Sequence, residues 1–584
     1  MAGIKEFTEN TKPVYEILQD LQNDKVINME IQNAKCNEET IKYYRCRLQI
    51  ELSSSFYAEY NIIDTTSMAK NAIKYIESTD GFEEIHKAVI GQKFYTYEGD
   101  KRYNIYFIII VDSLQELLEL TPKMREYIRN HYRSTRNLIL TLEDANRFFA
   151  IHKVFYRLDN DKLDLTELRE RYKKFTNINS VDKSIIENNK NEYCIKYLET
   201  LTMKSYRVFQ SETIINFKQI NLLTGVNGSG KTSTLEAIKK SILQEVQKNS
   251  LISLKFENKN GNTKKIQTPA NEHEIISDMF TSILYPSATP EGRSALFGIT
   301  NYFRSENTLE FADKNQCPHN VVLDHLFHNF KDVILEKRKN LTDLKVSFES
   351  FPKDYWDLTG VIEITKEHLN KLNENMEKMQ ENINNIINYN NINNNGILPS
   401  PDTEKIMKLK DLIRRLKNTE RKIQIVFQSI EDTEKFKKDC EQKISNHISE
   451  IYYMLTNKRD YKKLDPTDQG ITATRTIDDK QIPIADMSTG QRACFSLASI
   501  IALFASNPNA PNFLIFDEPT AYLDTQHFLN LLDILRQLAI RGTQIFFSSN
   551  NLQIEEMFRR KFSFFDDEFK EFAFLEEGQI ELKN

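Results

Sequence analysis

Gly225-Val226-Asn227-Gly228-Ser229-Gly230-Lys231-Thr232 completes the pattern G-x-x-x-x-G-K-[ST], and its reading decides the rest of the chain. Ahead of it, Ile220-Asn221-Leu222-Leu223-Thr224 is a short apolar run ending in glycine, which predicts a buried strand feeding the loop. Behind it, Leu235-Glu236-Ala237-Ile238 predicts a helix. Glycines at 225, 228 and 230 let backbone N–H groups converge on a phosphate without interference from a Cβ. The positive N-terminal end of the helix faces the same anion. Asn227, Gly228, Ser229, Gly230, Lys231, Thr232 and Ser233 are therefore the expected nucleotide contacts. Lys231 supplies a mobile charge for the β- and γ-phosphates, and the Thr232 hydroxyl is placed to ligate Mg²⁺.

Three further segments follow in order. Phe513-Leu514-Ile515-Phe516 is an apolar run that predicts a central parallel strand, and it ends on Asp517-Glu518. Buried strands seldom finish on paired acids without a cationic partner. Asp517 is the second expected metal ligand, and Glu518 the expected general base that polarises the attacking water. Met487-Ser488-Thr489-Gly490-Gln491-Arg492 precedes a helix predicted over 493–505, and Ser488 sits where it would cap that helix. Tyr522-Leu523-Asp524 completes the set.

Ser488-Thr489-Gly490-Gln491 resembles the ABC signature motif, with Met487 in place of the leading leucine and Thr489 in place of the first glycine. Tyr522-Leu523-Asp524 resembles the D-loop of the same superfamily. In that family two heads face each other, and the signature of one completes the ATP site of the other. The resemblance therefore implies that Ser488, Gly490 and Gln491 contact nucleotide in trans, and it adds Asp524 to the contact set. Arg207, in Lys204-Ser205-Tyr206-Arg207-Val208-Phe209, lies where related heads carry Asn-Phe-Arg, so a phosphate or base contact is expected there too. One departure is plain. The strand Gln544-Ile545-Phe546-Phe547 continues Ser548-Ser549-Asn550-Asn551, so Ser549 or Asn550 stands where such heads carry a switch histidine. Neither can carry a positive charge, which predicts slow or partner-stimulated hydrolysis.

The chain has 584 residues, a net charge of −6, 40% hydrophobic and 28% charged residues. The longest apolar run, Ile105-Tyr106-Phe107-Ile108-Ile109-Ile110-Val111, is too short to span a bilayer, so a fused membrane transporter is excluded as a reading. The six cysteines (36, 46, 194, 317, 440, 494) show no C-x-x-C spacing, which fits a reducing cytoplasm. The net charge gives no global nucleic-acid signature, so any DNA surface must be a local patch.

Residues 1–190 are read as an accessory α+β domain, with a strand over Tyr43–Leu52, a buried strand over Ile105–Val111 and helices near 113–135, 142–156 and 165–174. Lys123, Arg125, Arg129, Arg133 and Arg136, with Tyr127 and Tyr132, form a basic stretch that could follow a nucleic-acid backbone; a solvated helix face is the plainer account. Asn188-Asn189-Lys190-Asn191 is the expected linker. The first ATPase lobe is expected over 193–330, with strands near 205–209 and 213–217 and a hairpin across 258–262; the part from 270 to 330 resists assignment. Ile362, Leu369, Leu372, Met376, Met379, Ile383 and Ile386 then recur as a heptad seam. Ile406, Leu409, Ile413, Leu416, Ile423, Phe427 and Ile430 resume it after an Asn-rich break. This predicts an inserted antiparallel coiled-coil hairpin over 331–457, its tip about 388–402, with a first arm of about 4 nm at ~1.5 Å per residue. The second lobe is expected over 458–584, ending in a hairpin near 572–580.

A P-loop, a helical hairpin, then the signature and a Walker B strand (Phe513–Glu518) resembles the order in SMC-like and RecN-like ATPases, including the repair ATPase that works with a nuclease. The implied fold is an α/β ABC-type head, a RecA-like core plus an antiparallel β lobe, carrying the coiled-coil insertion and the N-terminal α+β domain. The implied chemistry is ATP hydrolysis with Mg²⁺ between two heads of a homodimer or higher homo-oligomer. It would control engagement of duplex DNA, activation of a separate nuclease or toxin effector, or both, in DNA repair or anti-phage defence. The alternative is an ATP-gated scaffold that holds an effector without touching DNA.

Overall fold

The computed structural model describes residues 11–49, 56–91, 103–130, 135–160, 194–243, 245, 250–268, 297–298, 300–305, 358–393, 399–456, 461–467, 470–475, 478–506, 510–575 and 578–583. The expected helix at 165–174, the linker at 188–191, and Tyr132 and Arg133 of the basic stretch lie outside them. The described chain forms two compact units.

In the first unit, α1 (Val14–Asn23) leads into a five-stranded sheet of β1 (Ile27–Cys36), β2 (Glu39–Gln49), β3 (Phe56–Asp64), β4 (Ile105–Val111) and β5 (Arg136–Thr141), in that spatial order. β1, β2 and β3 pair antiparallel, and β3, β4 and β5 pair parallel. Strand β4 is buried along its whole length because it feeds two cores. Ile105, Phe107, Ile109 and Val111 pack with residues of α2 (Thr79–Ile90), α3 (Leu114–Glu119) and α4 (Pro122–Asn130). Tyr106, Ile108 and Ile110 pack on the other face with α1 and α5 (Leu142–Asn160). Alternation at period two thus explains a continuous apolar strand covered on both sides. The single helix expected over 113–135 is instead two: Leu120 is extended and Pro122 opens the next helix, where its fixed φ and missing N–H are tolerated.

The head follows in the same unit. β6 (Ile195–Lys204), β7 (Thr213–Asn216), β9 (Leu251–Asn258) and β10 (Thr263–Thr268) form an antiparallel sheet in the order β10-β9-β6-β7. Between them run β8 (Ile220–Gly225) and α6 (Lys231–Leu243). A six-stranded sheet assembles β8 with β11 (Tyr302–Arg304), β15 (Phe513–Asp517), β16 (Gln544–Ser549), β17 (Phe569–Phe574) and β18 (Ile580–Lys583), in the order β11-β15-β16-β8-β17-β18. All its neighbours pair parallel except the terminal β17–β18 hairpin, which runs where it was expected. The helices α9 (Thr489–Ser506), α10 (Thr525–Ile540) and α11 (Leu552–Phe562) complete this layer. A small antiparallel sheet of β12 (Tyr461–Thr467), β13 (Gly470–Arg475) and β14 (Gln481–Pro483) precedes α9. The strand expected at 205–209 is a tight turn instead. Ser205 and Arg207 sit at φ +52° and +51°, and Tyr206 and Phe209 exchange backbone hydrogen bonds of 2.9 Å across it.

In the second unit, α7 (Leu358–Asn393) and most of α8 (Ser400–Thr456) are long helices. Ile383 packs with Ile406 and Ile413, flanked by Met379, Ile386 and Leu409, and Asn390 donates to Asp402 at 3.0 Å. Of the predicted seam, Ile362, Leu369, Leu372, Ile423, Phe427 and Ile430 have side chains outside the described residues. Among the described residues, no helix is long and apolar enough to cross a membrane.

Candidate active site

The carboxyl ends of β8, β15, β16 and β11 reach the same edge of the parallel sheet, the edge where open α/β sheets bind ligands. Asn227, Gly228, Gly230, Lys231, Thr232, Ser233, Arg304, Ser305, Asp517 and Glu518 line one pocket there. The loop needs its glycines. Gly225 sits at φ +140°, and a Cβ on it would lie 2.3 Å from the Phe574 carbonyl oxygen of the adjacent strand.

Asp517 joins the two halves of the pocket. Its Oδ1 accepts from Thr232 Oγ1 at 3.2 Å and from Ser548 Oγ at 2.7 Å, and Tyr302 OH lies 3.5 Å from Oδ2. Thr232 and Asp517 are hard oxygen donors side by side, a pair that fits Mg²⁺ with its preference for carboxylate, hydroxyl and phosphate oxygens. Lys231 Nζ donates to the Gly225 and Val226 carbonyls at 2.7 and 3.0 Å, and lies 3.6 Å from Glu518 Oε1. Glu518 is a non-glycine residue at φ +52°, held there by its N–H donating to Ser548 Oγ at 3.0 Å. Such a conformation costs ~1–3 kcal/mol and persists only where the surroundings over-determine it. It aims a carboxylate beside the lysine that the sequence assigns to the terminal phosphates.

Ser229 is buried in the loop but does not line the pocket. Ser488, Gly490, Gln491 and Asp524 also lie outside the lining. Ser488 is exposed; its N–H donates to Gln491 Oε1 at 3.0 Å, and its Oγ accepts from the Gln491 N–H at 3.3 Å. This reciprocal capping box starts α9. A Cβ on Gly490 would lie 3.4 Å from the Tyr522 carbonyl, so the start of α9 abuts the Tyr522–Asp524 turn. Asp524 caps α10 through the His527 N–H at 2.8 Å. Its contact with the His527 side chain holds its carboxyl down at about 2.

Arg207 does not line the pocket; its guanidinium pairs with Glu236 on α6 and stacks 5.7 Å from the Tyr206 ring. Asn550 reaches the loop instead, its Nδ2 donating to Asn227 Oδ1 at 2.8 Å, while Ser549 Oγ accepts from the Asn551 N–H at 3.0 Å. Sequence reasoning missed Arg304 and Ser305, which sit in the stretch that resisted assignment. A three-residue strand, Tyr302-Phe303-Arg304, ending on a charge was the available signal.

Residues 197–551 match the family model described as AAA ATPase domain. In sequence the chain is similar to the energy-coupling factor transporter ATP-binding protein EcfA2 of Mycoplasma mobile, 29% identical over 164 residues that cover 28% of this chain and 50% of that protein. It is also similar to the DNA double-strand break repair Rad50 ATPase of Pyrococcus abyssi, 26% identical over 121 residues that cover 20% and 14%. The chain thus spans half the length of the first and less of the second. Among solved structures it is similar to the Smc head domain with an extended coiled coil, bound to the C-terminal domain of ScpA, from Pyrococcus furiosus. That likeness covers 66% of this chain and 96% of the other, at 15% identity and a TM-score of 0.39. The matched residues make up more than half of the chain and carry the P-loop and the Asp517-Glu518 strand end, so the chain belongs to the AAA ATPase domain family.

Proposed function

We propose that the chain binds ATP with Mg²⁺ in this pocket and hydrolyses it between two copies, using the cycle to gate a separate effector protein, a nuclease or a toxin. One observation carries the reading. The exposed, capped start of α9 belongs to the same head as the pocket, yet contributes nothing to its lining. A second copy can present that helix end to the terminal phosphate. Thr232 and Asp517 would hold Mg²⁺, which neutralises charge on the phosphates when bound. Lys231 then leaves the loop carbonyls for the β- and γ-phosphates, and Glu518 orients and deprotonates the attacking water. The helical pair α7–α8 serves as a short coiled-coil arm of the kind SMC-like proteins carry. The setting that fits is DNA repair or anti-phage defence.

Whether DNA is the ligand that controls the cycle divides this reading from an ATP-gated scaffold that senses protein. Arg136 of the basic stretch favours the scaffold: it is a buried β5 residue that faces Asn530 and Asp533 of the head, which takes it from any nucleic-acid surface. The test is the ATPase rate with and without duplex DNA at several salt concentrations. Stimulation that fades steeply with salt means phosphate-backbone engagement. A rate indifferent to DNA leaves the protein-sensing scaffold.

A further inference from the structure

Arg304 ends β11 in register with Asp517 on β15, and its side chain enters the pocket between the P-loop and the Walker B carboxylates. It pairs with Glu236 Oε1 on α6, its Nε lies 3.9 Å from Asp517 Oδ2, and its guanidinium lies 5.3 Å from the Tyr302 ring. The charged groups lining the pocket are Lys231, Arg304, Asp517 and Glu518, two of each sign. A nucleoside triphosphate with one divalent cation adds net negative charge to that balance. Lys231 answers for the bridge between the β- and γ-phosphates, while Ser549, which ends β16, and Asn550, which follows it, carry no charge. Arg304 is the remaining cation among the described residues of the lining.

The geometry also provides for its release. Glu236 holds two guanidinium groups, Arg304 on one oxygen and Arg207 on the other. A half-buried carboxylate stripped of its partner is costly, yet here Arg207 stays when Arg304 swings away. We propose that Arg304 is a cis contact for the terminal phosphate of ATP, supplying the positive charge that the uncharged position after β16 lacks. Glu236 is its resting partner, and Arg207 is the counter-ion that keeps Glu236 neutralised. This rests on the nucleotide reading of the pocket and names a further residue in it.

The test uses the full-length chain, with ATP and ADP affinities measured separately in the presence of Mg²⁺, together with kcat and KM for ATP. Arg304→Ala should bind ADP as the unaltered chain does, bind ATP about tenfold more weakly, and lose about 10²–10³ in kcat, the range for removing one donor from a developing charge. Arg304→Lys keeps a charge but loses the planar fork, so its loss should be intermediate; it carries the measurement if the alanine variant fails to fold. Glu236→Gln frees the arginine and should tighten ATP binding severalfold. If Arg304 only braces Glu236, the Arg304 and Glu236 variants will weaken both nucleotides alike, and the proposal is overturned. An unchanged kcat and unchanged ATP-over-ADP preference in Arg304→Ala overturns it as well. A native chain that binds neither nucleotide overturns the nucleotide reading itself, an outcome separable from the other two.

Discussion

Asp517 is the residue at which two distant stretches of chain become one site. Its Oδ1 accepts from Thr232 at the start of α6 and from Ser548 at the end of β16. Ser548 in turn accepts from the Glu518 backbone, so one hydroxyl fixes the metal-ligand candidate and the strained base candidate together. Lys231→Ala should therefore abolish nucleotide binding, measured by titration with a fluorescent ATP analogue. Glu518→Gln should keep binding and lower the hydrolysis rate by about 10²–10⁴, the usual span for losing a general base. A glutamine variant that hydrolyses at the native rate would remove Glu518 from the chemistry. At this scale most of the pocket was legible, because the P-loop and the Asp-Glu pair are local patterns with a mechanism behind each residue type. Arg304 was not, since only the pairing of β11 with β15 brings it there.

The helix α10 shows what local patterns leave out. Leu531-Leu532-Asp533-Ile534-Leu535-Arg536 places two charges in an otherwise apolar stretch of the helix, and the structure uses them to hold the N-terminal sheet. Asp533 lies 2.5 Å from Lys561 Nζ, 3.4 Å from Arg136 Nη2 and 3.3 Å from Arg536 Nη2. The surplus cations also donate to neutral acceptors: Arg136 to Gln526 at 2.7 Å and Asn530 at 2.5 Å, Arg536 to Asn104 at 2.6 Å, and Lys561 to Tyr106 at 2.7 Å. Burial alone would raise the Asp533 carboxyl, but Lys561, Arg536 and Arg136 outweigh it and hold it at about 2. Asp533→Ala leaves buried cations without their acid and should cost about 3–5 kcal/mol of stability, read from denaturant unfolding. A loss under about 1 kcal/mol, the ordinary surface-pair range, would mean that the cluster does not hold these elements together.

The helix α5, packed on the N-terminal sheet, carries a second titrating group. His152 of α5 contacts Tyr60 OH at 3.3 Å, and burial, with Arg536 adding repulsion, pushes its imidazole down to about 3. Between about pH 6.5 and about pH 3 the unfolded chain binds a proton there that the folded chain refuses, so stability falls as pH drops through that window. His152→Phe should flatten the dependence of melting temperature on pH between about 7 and 5. An unchanged slope would show that His152 does not contribute to it. The amphipathic and apolar runs announced most elements here. The break at Leu120–Pro122 and the turn at 205–209 escaped because a single proline and two left-handed residues decide them.

At the scale of the whole molecule, the order of P-loop, helical pair, signature and Walker B segments is legible in the sequence, since each is a contiguous run. The grip of the N-terminal sheet on α10 and α11 was not, because charges that meet from positions as far apart as 136 and 533 leave no local pattern. That grip falls on the helix capped by Asp524, beside the start of α9, so the N-terminal module is tied to the segment that the two-copy reading places at the junction between heads. Ser488→Arg puts a bulky cation on the exposed start of α9, and it should leave ATP binding intact while preventing pairing and hydrolysis. The most direct measurement is the solution mass of the Glu518→Gln chain by light scattering, with and without ATP and Mg²⁺. The account predicts that ATP doubles the mass and that adding Ser488→Arg returns it to one copy with nucleotide still bound. An ATP-loaded chain that stays at one copy, or a Ser488→Arg chain that pairs as readily as its parent, would contradict it.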